Sequence, residues 1–286
     1  MTRAVVKGKG MKNEISGVGR TLLYIVLIAF TILTIYPLLW LLISSFKTTQ
    51  EFQINKLGLP IHWTFMNYPI AWKIGNFTIL FVNSLIYTIG STLAVIFLSL
   101  AAGFAFAKIR SKATPFFHGS FVIGILLTIQ SLMIPLFLAA SITKLVDTRA
   151  GVLIPYIGMS LPLGIYLCTE YIKSFPDAII ESARIEGAGY YKIFAAIIVP
   201  MARPVVTTLA ILNVACIWNE FMLVNMLVSK DSLRSLPVGI FKFSGALSSD
   251  FGKQFAALMI GLIPMLVFYI FFRKQLTKGM SVGAVK

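Results

Sequence analysis

Glu220 is the only acidic residue inside six long apolar stretches of this 286-residue chain, and it lies in the fifth of them, at 204–228. A carboxylate in hydrocarbon is expensive to bury, so function is its default reading. It can line a path through the membrane, or pair structurally with an Asn or Arg at the outer face. Asn83, Gln130, Asn213, Trp218 and Asn219, also in the apolar stretches, are the further candidates for such a path. For Asn83 and Asn213, hydrogen bonding between helices is the competing role.

Catalytic machinery is not legible. His62 and His118 are far apart and outside any HExxH pattern, no paired acids occur in the apolar stretches, and no GxxxxGK[ST] phosphate loop is present. Cys168 and Cys216 form no CxxC pair and both lie in apolar sequence, which favours packing over a disulfide or a metal site. An intramembrane enzyme therefore lacks its parts, and no catalytic or metal-binding residue is expected.

The elements that must position these groups follow from composition. The chain is 58% apolar, 13% aromatic and only 12% charged, with mean hydropathy +0.87. A soluble domain carries about twice that charge, so the fold expected is all-α and polytopic in a membrane. A bilayer core of about 30 Å needs roughly 20 apolar helical residues. Six segments qualify: 21–46, 78–106, 117–141, 150–169, 204–228 and 254–272. With both termini inside, 16 of the 25 basic residues fall on the inner side, which favours cytoplasmic termini in a bacterial-type plasma membrane. The net charge of +15 then reads as span flanks and not as a nucleic-acid surface. Pro37, Pro135, Pro155, Pro162 and Pro264 interrupt the spans, either as ordinary packing kinks or as bends that permit gating. The expected organisation is an inner segment 1–20, a six-span domain 21–273 and an inner tail 274–286.

The inner connection at about 170–203 is too long for a helix–helix turn. Pro176-Asp177 suits a helix start, and Ala178 to Glu186 reads as a short helix stopped at Gly187. A second amphipathic run, Tyr190 to Val199, ends at Pro200. The segment carries four basic and four acidic side chains. That balance argues against a lipid-bound helix and favours a knob that docks a cytoplasmic protein.

Glu181-Ser182-Ala183, Gly187 six residues after the Glu, and Ile197 with Pro200 resemble the EAA motif of ABC importer permeases. Ser182, Glu186 and Val199 depart mildly from its usual pattern. Further stretches are similar to the carbohydrate branch, in particular the maltose-transporter type second permease. They are Trp63 to Tyr68, Asn83-Ser84-Leu85, Ala101 to Ala107, Met133-Ile134-Pro135, Trp218-Asn219-Glu220-Phe221 and the tail Gly283 to Lys286, which together span about residues 60–286.

The resemblance implies a type I importer permease whose EAA loop is a coupling helix seated in a cytoplasmic ATPase. Gly187 would allow the sharp turn, Glu181 and Glu186 would face the ATPase, and Ala183 and Ala188 would keep the ridge slim. Phe194 would anchor the second helix, which Pro200 closes. The tail from Gly279 would also reach the ATPases. The implied partners are a second permease, two ATPase copies, an extracellular or periplasmic sugar-binding protein, the sugar and membrane lipid. This chain itself would bind no cofactor; ATP and Mg would be used by the ATPases. The six polar residues named above become candidate sugar contacts. A secondary transporter, a channel subunit and a scaffold docking a cytoplasmic protein are the alternatives; the first would show repeated halves and ion-coupling residues, the second a filter-like pore motif.

Overall fold

The computed structural model describes residues 17–109, 111–246 and 250–284, all helical or connecting. Residues 1–16 of the expected inner segment, Arg110 and the last two residues of the tail lie outside the described residues. In chain order the helices are α1 (Gly17–Ser44), α2 (Thr49–Ile54), α3 (Asn67–Ile74), α4 (Phe77–Lys108), α5 (Thr114–Gly124), α6 (Ile129–Ile142) and α7 (Arg149–Lys173). There follow α8 (Asp177–Ile185), α9 (Tyr190–Ile193), a π turn (Phe194–Ile198), α10 (Val199–Met201), α11 (Arg203–Trp218), α12 (Met222–Leu227), α13 (Leu236–Ala246) and α14 (Phe251–Ala284).

Among the described residues, four helices are long and apolar enough to cross a bilayer unbroken: α1, α4, α7 and α14. Two of the six expected spans are not single helices. The third bends by 105° between α5 and α6, because Thr128 leaves the helical conformation and caps α6 by accepting the Ser131 N–H. The fifth ends at Trp218, so α11 has only 16 residues, and α12 starts a separate short helix. On its inner side α11 meets the α9–α10 segment at 72°. Two other bounds shift: α7 continues to Lys173, and α14 runs on through Ala284, well past 272.

The close partner of α4 is α7, and small residues set their approach. A Cβ at Gly103 would stand 2.7 Å from Cys168 Cβ and 3.0 Å from Cys168 C and Thr169 N. Only hydrogen fits there, as at membrane helix crossings that bring backbones together. Around this pair lie three apolar clusters. One joins Val95, Leu100 and Phe104 of α4 to Cys168 and Ile172 of α7, and continues into α8, the π turn and α11. A second surrounds Tyr87, Tyr156 and α12. The third packs Ala71, Phe77, Trp218 and Phe243 against α14. In contrast α1 is exposed along most of its length and is tied mainly at its end, where Trp40 stacks edge-on to Phe52 and Phe255 and donates to Lys56 O.

Candidate functional site: the inner knob and the broken fifth span

The segment from Asp177 to Met201 forms a knob of two helices. Its turn is a complete Schellman motif: Ala188 N–H bonds to Ala183 O at 2.9 Å and Gly187 N–H to Arg184 O at 3.0 Å. Gly187 supplies the left-handed residue that this closure requires, with φ +79°. Arg184 lies over the Tyr190 ring at 5.3 Å and links the two helices across the turn.

Ala183 is buried and Ala188 half-buried, both within the cluster shared with α4, α7 and α11. They face inward beneath the knob and do not form its ridge, because the Schellman closure brings them together on the core side. The outward residues are Ile185, 88% exposed, and Tyr191, 93% exposed, with Glu181, Arg184, Glu186 and Lys192 around them. Phe194 packs on Phe104 of α4, ring centroids 5.9 Å apart, and Tyr190 meets the same ring at 6.4 Å.

The second run does not stop at Pro200. Helical backbone continues to Met201, with Val199 N–H reaching back five residues to Phe194 O. Pro200, which has no N–H to give the helix, follows closely on that π turn. A residue that motif reading missed fixes the base of the knob. Lys108, the last residue of α4, donates to Phe175 O at 2.7 Å and pairs with Asp177 Oδ1 at 2.6 Å. Its position in the last helical turn, nine residues before the third apolar run, was the only available signal.

Glu220 sits at the break after α11. Its Oε1 accepts the Leu223 N–H at 2.8 Å, starting α12, and its Oε2 accepts the Tyr156 hydroxyl at 2.7 Å from α7. Its structural partner is thus a tyrosine, not an Asn or Arg, since α7 delivers Tyr156 directly beneath the break. Glu220 also borders a cavity of about 290 Å³ together with Tyr156, Ser160, Asn213 and Cys216. Asn213 is buried there, but its amide donates to Leu209 O of its own helix and not across to a neighbour.

The remaining candidates are elsewhere. Asn83 is buried and donates to Ser232 O and Arg234 O, while Arg149 donates to its Oδ1, so it pins the loop before α13. Trp218 packs edge-on to Phe81 and, with Asn219, borders a different cavity of about 420 Å³. Asn219 is exposed and bonds Ala215 O. Gln130 is exposed at the start of α6. Cys216 is exposed, contrary to the packing expected of it, whereas Cys168 is buried. Among the described residues no group of three or more His, Cys, Asp or Glu could hold a metal ion.

Residues 14–281 match the family described as "Binding-protein-dependent transport system inner membrane component". The chain belongs to that family. It is a permease component of a binding-protein-dependent ABC importer, a multi-pass protein of the bacterial inner membrane. The permease is 34% identical over 269 residues to the multiple sugar-binding transport system permease protein MsmG of Streptococcus mutans, covering 92% of this chain and 96% of that one. It is 30% identical over 254 residues to the trehalose transport system permease protein SugB of Mycobacterium tuberculosis, covering 87% and 92%. Its fold is similar to a chain of the crystal structure of a bacterial ABC transporter that imports the acidic polysaccharide alginate, with TM-score 0.80 and 22% identity over 90% of this permease and 96% of that chain.

Proposed function

We propose that this permease imports a carbohydrate as one half of a heterodimer with a second permease, and that its Asp177–Met201 knob docks one of two cytoplasmic ATPase copies. The observation that carries the reading is the knob itself. A Schellman-closed turn presents exposed Ile185 and Tyr191 within a rim of mixed charge, while its inner face belongs to the same apolar cluster as α4, α7 and α11. Apolar anchors ringed by charge suit a groove on a protein partner, and a shared core passes a push on the knob to the bundle as a rigid body.

ATP and Mg belong to the ATPases in this scheme, since the chain has no phosphate loop. Glu181 and Glu186 face the ATPase, Gly187, Ala183 and Ala188 hold the turn, and Phe194 and Pro200 join it to the bundle. Both termini and the knob lie on the cytoplasmic side, with residues 1–20 before and 274–286 after the six-span domain 21–273. The cavity beside Glu220, Asn213 and Tyr156 is this subunit's share of the translocation path. A sugar class of substrate is supported by relatives named for multiple sugars and trehalose. An external sugar-binding protein delivers the cargo, in keeping with the family description.

Affinity purification of the tagged permease from its host tests the assembly. One different permease and two copies of an ATPase per tagged chain are expected. A homo-oligomer free of any ATPase, recovered under conditions that preserve known importers, would replace this reading by a channel or secondary transporter.

A further inference from the structure

We infer that Lys108 is a positioning residue in energy coupling, the tie that makes α4 follow the knob when an ATPase moves it. The inference rests on the docking reading above. The Lys108 side chain is only 6% exposed, and its ammonium reaches two elements at once. It donates to Phe175 O in the joint that follows α7, and it pairs with Asp177, the first residue of α8. Carbonyls at a helix end have no partner within the helix, and a lysine is a suitable donor to them. The residue after Phe175 is Pro176, which caps the start of α8 and has no N–H to offer. One ammonium thereby joins the inner end of α4, the end of α7 and the start of the knob.

Stability does not explain this arrangement well. The Asp177 end of the pair is 64% exposed, where an ion pair contributes little, although the buried ammonium needs its bonds to stay satisfied. The apolar contacts of Phe104 with Phe194 and Tyr190 already hold the knob against α4. Those contacts press the knob onto α4 through apolar surface, and the hydrogen bonds at its base come from Lys108. Two short bonds to one nitrogen fix the knob's tilt on α4. The tie also sits at the base of the knob, on the side where it joins the close-packed α4–α7 pair.

The test uses the assembled importer with its binding protein in proteoliposomes, reading substrate transported per ATP hydrolysed. Lys108→Met keeps the apolar stem and removes the donor; Lys108→Arg restores a donor and a charge. The Met variant is expected to assemble and to lose about fivefold to tenfold in transport per ATP, within the roughly 2- to 30-fold span of couplings carried through packed networks, with Arg recovering most of the loss. Wild-type transport per ATP in the Met variant, or an Arg variant as impaired as Met, would overturn the inference. If Lys108→Met does not assemble, Asp177→Asn at its exposed site decides by the same ratio, reduced in support and unchanged against. Gly187→Asp, measured in parallel, separates the two levels: normal coupling in that variant refutes the docking reading itself, whereas its uncoupling beside an unaffected Lys108→Met refutes only the role of Lys108.

Discussion

The Tyr156 hydroxyl donates to Glu220 across 2.7 Å, and the other oxygen of the same carboxylate caps α12 through the Leu223 N–H. This pairing turns the costliest residue of the spans into the joint of a broken helix. A carboxylate with two acceptor oxygens can serve both donors at once. The break after Trp218 therefore leaves no orphaned N–H at Leu223, and α7 is fastened to α12 where the fifth span ends.

Removing that carboxylate should be felt as lost stability. In Glu220→Leu the Tyr156 hydroxyl and the Leu223 N–H both lose their partner, at about 1–3 kcal/mol for each orphaned buried group. Glu220→Gln keeps an acceptor oxygen and should lose clearly less. Thermal unfolding of the purified permease in detergent ranks the two, and equal losses would contradict the joint.

Gly187 separates backbone strain from docking. A Cβ there meets nothing within 4 Å, so the φ of +79° is the sole obstacle to a side chain. Gly187→Ala should weaken the turn by about 1 kcal/mol, whereas Asn and Asp tolerate the left-handed region better. Hydrogen exchange at the Gly187 and Ala188 amides measures this, with protection falling most in the Ala variant. Gly187→Asp should keep its turn yet place a charge at the docking face and uncouple ATP hydrolysis from uptake.

Close approach of α4 and α7 predicts an asymmetry between two glycines. A Cβ at Gly103 meets Cys168 and Thr169 backbone atoms, which cannot yield locally, while one at Gly164 first meets Ser99 Oγ at 2.3 Å, a hydroxyl able to rotate away. Overpacking a tight core typically costs about 1–3 kcal/mol. Gly103→Ala should fall in that range and exceed Gly164→Ala. Unfolding in detergent by heat or denaturant provides the comparison.

Outside the spans, Asp147 latches two loops. It takes a left-handed backbone, φ +58°, and its Oδ1 accepts the Ser229 and Lys230 N–H groups at 2.6 and 3.0 Å. Those backbone bonds hold its carboxyl below the ordinary 3.8, aided by the charges of Lys230 and Arg234 and opposed by desolvation. A depressed folded value stabilises above the unfolded value and is lost as pH falls through the folded one. Asp147→Gly keeps the positive φ and deletes the acceptor. Its deficit in melting temperature should stay constant at neutral pH and shrink only below about pH 4. A deficit that grows on acidification would contradict the latch.

Much of this architecture was legible because hydrocarbon imposes a crude rule: long uncharged runs become helices. The knob was equally open to reading, since Pro176, Asp177 and Gly187 carry local start and stop chemistry that acts in any context. What could not be read were features set by distant partners. Nothing near Glu220 announces Tyr156, 64 positions earlier, and without that contact the break after Trp218 reads as continuous span. Thr128 likewise passes for an ordinary polar residue until the bend makes it a cap. Ala183 and Ala188 are small enough for a ridge or for a core, and only the closure at Gly187 decides which. Asn83 resembles a path residue in sequence, yet its hydrogen bonds are taken up by carbonyls some 150 positions away.

Uptake of labelled sugar by proteoliposomes holding the purified complex tests the central claim most directly, with ATP inside and the binding protein outside. Accumulation should require both and persist when ion gradients are collapsed. Accumulation that proceeds without ATP, or that follows an imposed ion gradient, would contradict an ATP-driven importer built around this permease.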